Sequence, residues 1–285
     1  MTRSIVVGLD GTEQADAAAR WAADEAELRG TGVRLVHVCE PSPEAVTPCV
    51  ARGPVEEWAR DLLARTATVL RERHHGLPVT TRLLPADPVP GLVAESEDAT
   101  LLVLGSRALG RASGYVVGSV GTAVAGLAER PVVLVRPDGG SPPGNTVVAG
   151  VDPHRPDHDV LEFAFDAAAR RGARLEIVYA QRLPPFATPG PAMAPDLRYS
   201  VSPAIGRALD ELIDPWRAKY DAEVTTTGRV VAGSAGPALI RAAEHAALVV
   251  IGRRTRRSPW GGRIGSTAHA VLHHARPPVA LVPSE

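Results

Sequence analysis

Apolar positions along the chain form short, β-branched runs that alternate with longer stretches of helical spacing. The run at 4–9 (SIVVGL) is typical of a parallel strand that is buried on both faces. A helical pattern follows it to Leu28 and stops at Gly30. Because this alternation continues through the whole chain, it predicts parallel β-sheet covered by helices on both faces, with right-handed crossovers.

The predicted elements fall into two similar series. In the first, strands are predicted at 4–9, 33–39, 77–84, 100–104 and 132–135, with helices to Leu28, at 55–73, at 89–96 and from Gly118. In the second, strands are predicted at 146–151, 174–180, 223–231, 247–251 and 279–282, with helices at 158–171, 204–219, 237–245 and from Gly265.

An internal repeat explains the two series. Residues 101–135 and 248–282 share glycines, a Gly-Ser pair and a proline at one offset, for example Gly105 with Gly252, which is 252 − 105 = 147 residues. We therefore predict two domains, 1–138 and 145–285, joined by a linker rich in Pro, Gly and Ser. Each is expected to be a doubly wound, five-stranded parallel sheet with strand order 3-2-1-4-5.

The repeated segments have the residue types of a phosphate-binding loop. Gly105 and Gly252 end buried strands, where a residue without a Cβ lets the backbone turn sharply and approach a ligand. The pairs Gly118-Ser119 and Gly265-Ser266 begin helices, with the serine as cap or first-turn residue. A helix N-terminus attracts anions, so two copies in register favour phosphate binding over an ordinary capped surface loop.

Asp10 and Asp152 each follow the first strand of a domain. In the predicted sheet, the first and fourth strands flank the point where the strand order reverses, so each aspartate shares a crevice with a glycine loop. Alternatively, each is a turn or N-cap aspartate.

The loop that follows Gly105, and its repeat after Gly252, resembles the nucleotide loop of the universal stress protein family, G-x2-G-x9-G-[ST]. Gly105, Gly118 and Ser119 match it in the first half. Both copies depart at the second glycine, where Ala108 and Thr255 stand. The resemblance implies a Rossmann-like, adenine nucleotide alpha hydrolase-like fold and ATP as ligand, with or without Mg²⁺. In that family an aspartate meets the nucleotide near its base and sugar, and the backbone that ends the second strand meets the adenine edge.

Carried over position by position, the resemblance implies two sets of nucleotide-binding residues. These are Asp10, Val38, Gly105, Ala108, Gly118, Ser119 and Val120 in the first half, and Asp152, Ala180, Gly252, Arg253, Gly265, Ser266 and Thr267 in the second.

The departures from the motif set the two sites apart. A positive φ at Ala108 or Thr255 would cost about 1–2 kcal/mol through the Cβ. We expect weaker or absent nucleotide binding at one site, the second rather than the first. The arginine cluster from Arg253 to Arg263 works against that ranking, because guanidinium groups bind phosphate. The cluster could equally be a solvated basic face or contact a partner.

The bulk composition narrows the function. A net charge of −1 argues against nucleic-acid and membrane-surface binding. With two cysteines, no leader pattern and no apolar run of about 18 residues, a cytoplasmic protein is expected. The sequence contains no P-loop, nucleophile elbow or H-E-x-x-H motif, so no enzyme activity is predicted.

By the resemblance, the expected protein is a tandem universal stress protein that binds ATP and regulates a stress response without efficient catalysis. Its expected partners are an adenine nucleotide, an unidentified regulatory protein, and a second copy that pairs through the apolar fifth-strand edges at 132–135 and 279–282. The alternatives are an interaction scaffold of the same fold without nucleotide and a slow nucleotide hydrolase.

Overall fold

A computed structural model describes most of the chain and divides it into two compact units. Of the described residues, unit 1 contains those within Met1–Ser141 and Ile264, and unit 2 contains those within Pro142–Arg254 and Gly265–Ser284. The described residues are 3–40, 52–108, 115–116, 118–137, 144–182, 202–220, 223–254 and 264–284.

Unit 1 alternates strands and helices in the predicted order. Its strands are β1 (Ile5–Gly8), β2 (Val33–Cys39), β3 (Val79–Pro85), β4 (Leu101–Gly105), β5 (Arg107–Ala108), β6 (Tyr115–Val116) and β7 (Val132–Val135). Its helices are α1 (Glu13–Arg29), α2 (Arg52–Arg73), α3 (Pro88–Glu97) and α4 (Ser119–Leu127).

The main sheet of unit 1 is parallel, in the order β3-β2-β1-β4-β7. Counted along the five strands of this sheet, the order is 3-2-1-4-5, as predicted. Helices α1 and α2 contact each other, as do α3 and α4, so the two pairs cover opposite faces. The strands are apolar and almost fully buried at their centres, for example Val6 and Val103 at 0% exposure, because both faces are covered.

Unit 2 repeats this architecture. Its strands are β8 (Thr146–Gly150), β9 (Arg174–Gln181), β10 (Thr226–Ala232), β11 (Leu248–Arg254) and β12 (Val279–Ser284). Its helices are α5 (His158–Arg171), α6 (Pro203–Lys219), α7 (Ala235–Ala242) and α8 (Ser266–His274). The parallel order is β10-β9-β8-β11-β12, again 3-2-1-4-5 within the unit.

Two features of these units were not predicted. In the first loop, β5 and β6 form a short antiparallel ladder that pairs Ala108 with Tyr115. Strand β11 continues to Arg254, three residues beyond the predicted end, because Arg253 and Arg254 pair with Pro283 and Ser284 of β12. The charged side chains indicated a loop, but backbone pairing with the neighbouring strand β12 keeps these two residues in a strand.

Candidate functional site

The reversal of strand order lies between β1 and β4 in unit 1 and between β8 and β11 in unit 2. Asp10 and Asp152 follow β1 and β8, and the glycine loops follow β4 and β11, all at the carboxyl ends of the strands. Such a reversal opens a crevice between oppositely directed crossovers. Within each unit, the fold thus brings the predicted aspartate and the predicted loop to one edge.

In unit 1, Asp10 is part of a compact turn into α1. Its Oδ1 accepts hydrogen bonds from the Thr12 amide at 3.1 Å and from the Thr12 hydroxyl at 2.5 Å. Thr12 is the N-cap of α1, and its Oγ1 accepts from the Ala15 amide at 3.3 Å. Gly11 between them has a φ of 79°, a left-handed conformation that favours glycine. Asp10 therefore has the turn role that the sequence left open, and its position beside the crevice is fixed through Thr12.

In unit 2, the aspartate of the turn and the N-cap of the helix are not hydrogen-bonded to each other through one short turn. Asp152 Oδ1 accepts from the His154 amide at 3.0 Å. A different residue, Asp157, caps α5 by accepting from the Val160 amide at 3.2 Å. Burial raises the pKa of the Asp157 carboxyl above its usual value, while hydrogen bonds from Ser284 and Val160 lower it by less. Here the aspartate that follows the strand and the cap of the helix are different residues that accept from different amides.

Gly105 and Gly252 are needed for packing between strand and helix. A Cβ on Gly105 would lie 2.5 Å from the backbone carbonyl carbon of Gln14 and 2.7 Å from the Ala15 nitrogen, in the first turn of α1. A Cβ on Gly252 would lie 2.6 Å from Asp157 Oδ2. Neither glycine has a positive φ. The close approach that explains these two glycines is therefore to a helix N-terminus, and the sharp turn expected at each is wrong.

Gly118 and Gly265 are in a different situation, because no described atom lies within 4 Å of a Cβ built on either. They are the N-cap residues of α4 and α8, with φ of −56° and −63°. Ser119 and Ser266 are exposed first-turn residues, and Val120 and Thr267, half-buried, follow them. The serines are thus first-turn residues rather than caps.

Among the described residues, no side chain caps the start of α4 or of α8. Glycine offers no side-chain oxygen to the first amides, and neither helix has an acidic residue in its first turn. By contrast, α1 and α5 are capped by Thr12 and Asp157 and carry acidic residues in the first turn. The helix dipole, with no side-chain cap at Gly118 or Gly265, favours an anion at the starts of α4 and α8.

The remaining predicted residues divide into four groups. Val38 and Ala180 lie next to the last residues of β2 and β9, half-buried, at the predicted adenine edge. Ala108 lies in β5, where an extended backbone suits any L-residue, so the left-handed conformation that would make it costly is absent. Arg253 is 4% exposed and lies in β11, so it is not part of a solvated basic face. Thr255, Arg256, Arg257 and Arg263 lie outside the described residues.

Sequence reasoning missed an aromatic pair beside each aspartate turn. In unit 1, the rings of His37 and Trp58 meet edge to face, with centroids 5.5 Å apart. In unit 2, His154 and Tyr179 do so at 6.0 Å. Burial and the nearby Asp152 charge raise the pKa of the Tyr179 hydroxyl. Thr12 was also missed, although a threonine directly before a helical pattern is a recognisable N-cap signal.

The described ranges hold neither a metal-ligand cluster nor a membrane-spanning helix. Among those residues, no group of three or more His, Cys, Asp and Glu side chains is arranged to hold a metal ion. In the same ranges, no helix combines the length and the apolar character needed to cross a membrane.

Together, the doubly wound sheets, the aspartates at the strand-order reversals and the Gly-Ser helix starts define a class of α/β protein that repeats one crevice in each half. Comparison with known proteins is more specific. A model of the universal stress protein family matches residues 1–136 and again 144–283, and the chain belongs to that family.

Curated relatives of that family align over nearly the whole of this chain. Universal stress protein Rv2623 of Mycobacterium tuberculosis is 32% identical, over 97% of this chain and 95% of its own. Universal stress protein Rv2005c of the same organism is 30% identical, over 97% and 96%. The crystal structure of a universal stress protein from Archaeoglobus fulgidus covers 98% of both chains, with a TM-score of 0.75 at 17% identity, which supports the fold.

Proposed function

We propose that this tandem universal stress protein is a nucleotide-sensing regulator that binds ATP at the crevice of unit 1 and, less tightly, at that of unit 2. The observation that carries the proposal is the open Gly-Ser start of α4 and α8 at the carboxyl edge of each sheet. Both helices present first-turn amides with no acidic residue beside them, and both follow the reversal of strand order. Phosphate groups bind helix N-termini placed in this way.

The ranking of the two sites follows from their loops. In unit 1, Ala108 replaces the family's second glycine within a strand, so its methyl group imposes no backbone strain. In unit 2, the replacement is Thr255, a β-branched and bulkier residue in the segment that should approach the phosphates. We therefore assign the tighter site to unit 1.

The proposed role is regulatory rather than catalytic. One carboxylate oxygen of each turn aspartate accepts hydrogen bonds that shape the helix entries, Asp10 from Thr12 and Asp152 from His154. A general base would instead need its carboxylate directed at a substrate proton. Mg²⁺ enters the proposal only as a counterion of the ATP phosphates. A regulatory protein partner and dimerisation through the fifth-strand edges complete the proposal.

The test uses the full-length chain stripped of nucleotide and titrated with ATP by calorimetry, with Gly118→Asp and Gly265→Asp as matched variants. Aspartate is a favourable N-cap residue and each glycine has an ordinary φ, so the helices should form normally. The new carboxylate would stand where phosphates bind, and repulsion between charges a few ångströms apart should weaken binding about 100-fold.

We expect the Gly118→Asp variant to lose the tighter ATP site and the Gly265→Asp variant to lose only the weaker one. No heat from the wild-type chain up to millimolar ATP would overturn the sensor and leave a scaffold of the same fold. The absence of efficient catalysis is checked separately, by incubating ATP with excess protein and measuring ADP. Formation of ADP faster than in buffer would contradict a non-catalytic role.

A further inference from the structure

We propose that Trp58 forms an aromatic wall for the nucleotide base in unit 1. The inference rests on the proposed function, since it names the group that would recognise the base at the same crevice. It starts from the position of the indole ring. A Cβ built on Gly11 would lie 2.9 Å from Cζ2 and 3.1 Å from Cη2 of Trp58, so the ring edge lies against the Asp10-Gly11-Thr12 turn.

The ring of Trp58 is held there but not covered. His37 packs edge to face against it, and the His37 Nδ1 donates a hydrogen bond to the Leu9 carbonyl oxygen at 2.7 Å. Yet 45% of the Trp58 surface is exposed. Among the described residues, the exposed large apolar side chains are otherwise aliphatic, namely Leu28, Val55, Val69 and Leu127. Trp58 is thus the aromatic member of that set, and it lies beside the crevice.

The strand next to it explains why a base would meet this ring. His37 and Val38 are adjacent in β2, so their side chains point to opposite faces of the sheet. Val38 packs against α3, where its Cγ1 would lie 3.2 Å from a Cβ on Gly91, whereas His37 points to Trp58 of α2. A base that met the Val38 backbone edge and Asp10 would have the open indole within reach. Indole rings stack well on purines.

Unit 2 has a smaller substitute. There, the ring of His154 meets the ring of Tyr179, which occupies the position in β9 that His37 occupies in β2, since 179 − 37 equals 152 − 10. An imidazole and a phenol offer less π surface than an indole. The base should therefore contribute more to binding in unit 1 than in unit 2.

The experiment uses the full-length chain with Gly265→Asp, which should remove ATP binding at unit 2 and leave the site of unit 1. In this background it compares Trp58→Ala, Trp58→Phe and, as control, Trp216→Phe. Trp216 lies in unit 2, where it stacks on Phe165 and His158. Calorimetry gives the ATP affinity, and intrinsic fluorescence reports contact of the base with an indole. Circular dichroism checks that each variant is folded.

We expect Trp58→Ala to weaken ATP binding about tenfold, the effect of one lost base–aromatic stack. Trp58→Phe should retain most of the affinity because it keeps an aromatic face. ATP should quench the fluorescence of the background protein and of the Trp216→Phe variant, but not of Trp58→Phe. Unchanged ATP affinity in Trp58→Ala, equal losses in Ala and Phe, or quenching that survives Trp58→Phe would each overturn the aromatic wall. These results presuppose ATP binding, and its complete absence in the background protein and the wild type would overturn the sensor as well.

Discussion

Units 1 and 2 share one topology, yet they join the first strand to the first helix in different ways. In unit 1, the turn aspartate Asp10 and the cap Thr12 are two residues apart and hydrogen-bonded to each other. In unit 2, Asp152 and the cap Asp157 are five residues apart and bonded to different amides. The strand order constrains where the crevice lies, whereas the length of the turn decides which side chains share its edge.

The glycine that ends the fourth strand shows the same divergence. Gly105 lies against the backbone of α1, whereas Gly252 lies against the carboxylate of Asp157. Backbone cannot rotate away from an added methyl group, but a side chain can. The same residue type therefore meets a rigid neighbour in unit 1 and an adaptable one in unit 2.

The largest expected effect is the difference between Gly105→Ala and Gly252→Ala. We expect Gly105→Ala to destabilise unit 1 by about 3 kcal/mol, since overpacking against the backbone forces the helix and the strand apart. Gly252→Ala should cost unit 2 about 1 kcal/mol, mainly through a displaced Asp157 cap. Hydrogen exchange of the intact chain, followed by peptide, gives the opening free energy of each unit. Equal costs in the two units would refute this reading of the two glycines.

A second pair of variants compares two ion pairs, one in each unit, whose carboxylates come from different secondary-structure elements. In unit 1, Glu95 of α3 is 7% exposed and lies 3.5 Å from an Arg34 nitrogen and 2.5 Å from an Arg82 nitrogen. In unit 2, Glu176 occupies the position of Arg34 and lies 2.8 Å from Arg229, with 23% exposure. The glutamate of the ion pair therefore belongs to α3 in unit 1 and to β9 in unit 2.

Glu95→Gln should destabilise unit 1 by about 2 kcal/mol, because a buried carboxylate that serves two arginines is lost. Glu176→Gln should cost unit 2 less than about 1 kcal/mol, since its partner is half exposed. Urea unfolding followed by hydrogen exchange measures both. The control is Glu56→Gln in the exposed pair with Arg60, which should change neither unit. A larger effect at Glu176 than at Glu95 would contradict the role of burial.

Removal of the helix caps tests whether capping and the aspartate turn are coupled. Thr12→Ala and Asp157→Ala should each cost about 1 kcal/mol of stability. Only Thr12→Ala should also weaken ATP binding, at unit 1, because Asp10 loses the hydroxyl that positions it. Calorimetry and hydrogen exchange separate the two effects. Weaker ATP binding at unit 2 in Asp157→Ala would mean that its cap and its aspartate turn are coupled after all.

The smallest expected effect is the dependence on pH that Asp157 contributes in unit 2. Burial raises the pKa of Asp157 in the folded state, so the folded state binds its proton more tightly than the unfolded state does. This contribution to stability is complete below the unfolded pKa and is lost as pH rises through the folded pKa. Asp157→Asn keeps a capping oxygen and removes the titration, so its unfolding free energy relative to wild type should rise across that window. Urea unfolding of both proteins between pH 3 and pH 7 measures this difference in unfolding free energy, and hydrogen exchange assigns it to unit 2. A difference that does not change with pH would rule out the linkage.

Much of the fold could be predicted because its signals are local. The strand at 132–135 and the helix at 158–171 were predicted with the bounds that the structure shows. Errors arose where distant pairing intervened, as at Arg253 and Arg254, which β12 holds in a strand. The serines after Gly118 and Gly265 were identified as cap or first-turn residues, and the backbone shows the second role, since glycine is the cap.

The sequence by itself determined the tandem repeat, the parallel strand order and the Gly-Ser helix starts, because these follow from periodicity and spacing within short segments. Only the tertiary structure decided why Gly105 is a glycine, since the atoms it must avoid belong to Gln14 and Ala15, about ninety positions earlier. The same holds for Trp58, which meets His37 and Gly11 from other elements. Contacts of this kind depend on how helices pack across a finished sheet, and residues distant in sequence carry no local pattern that records them.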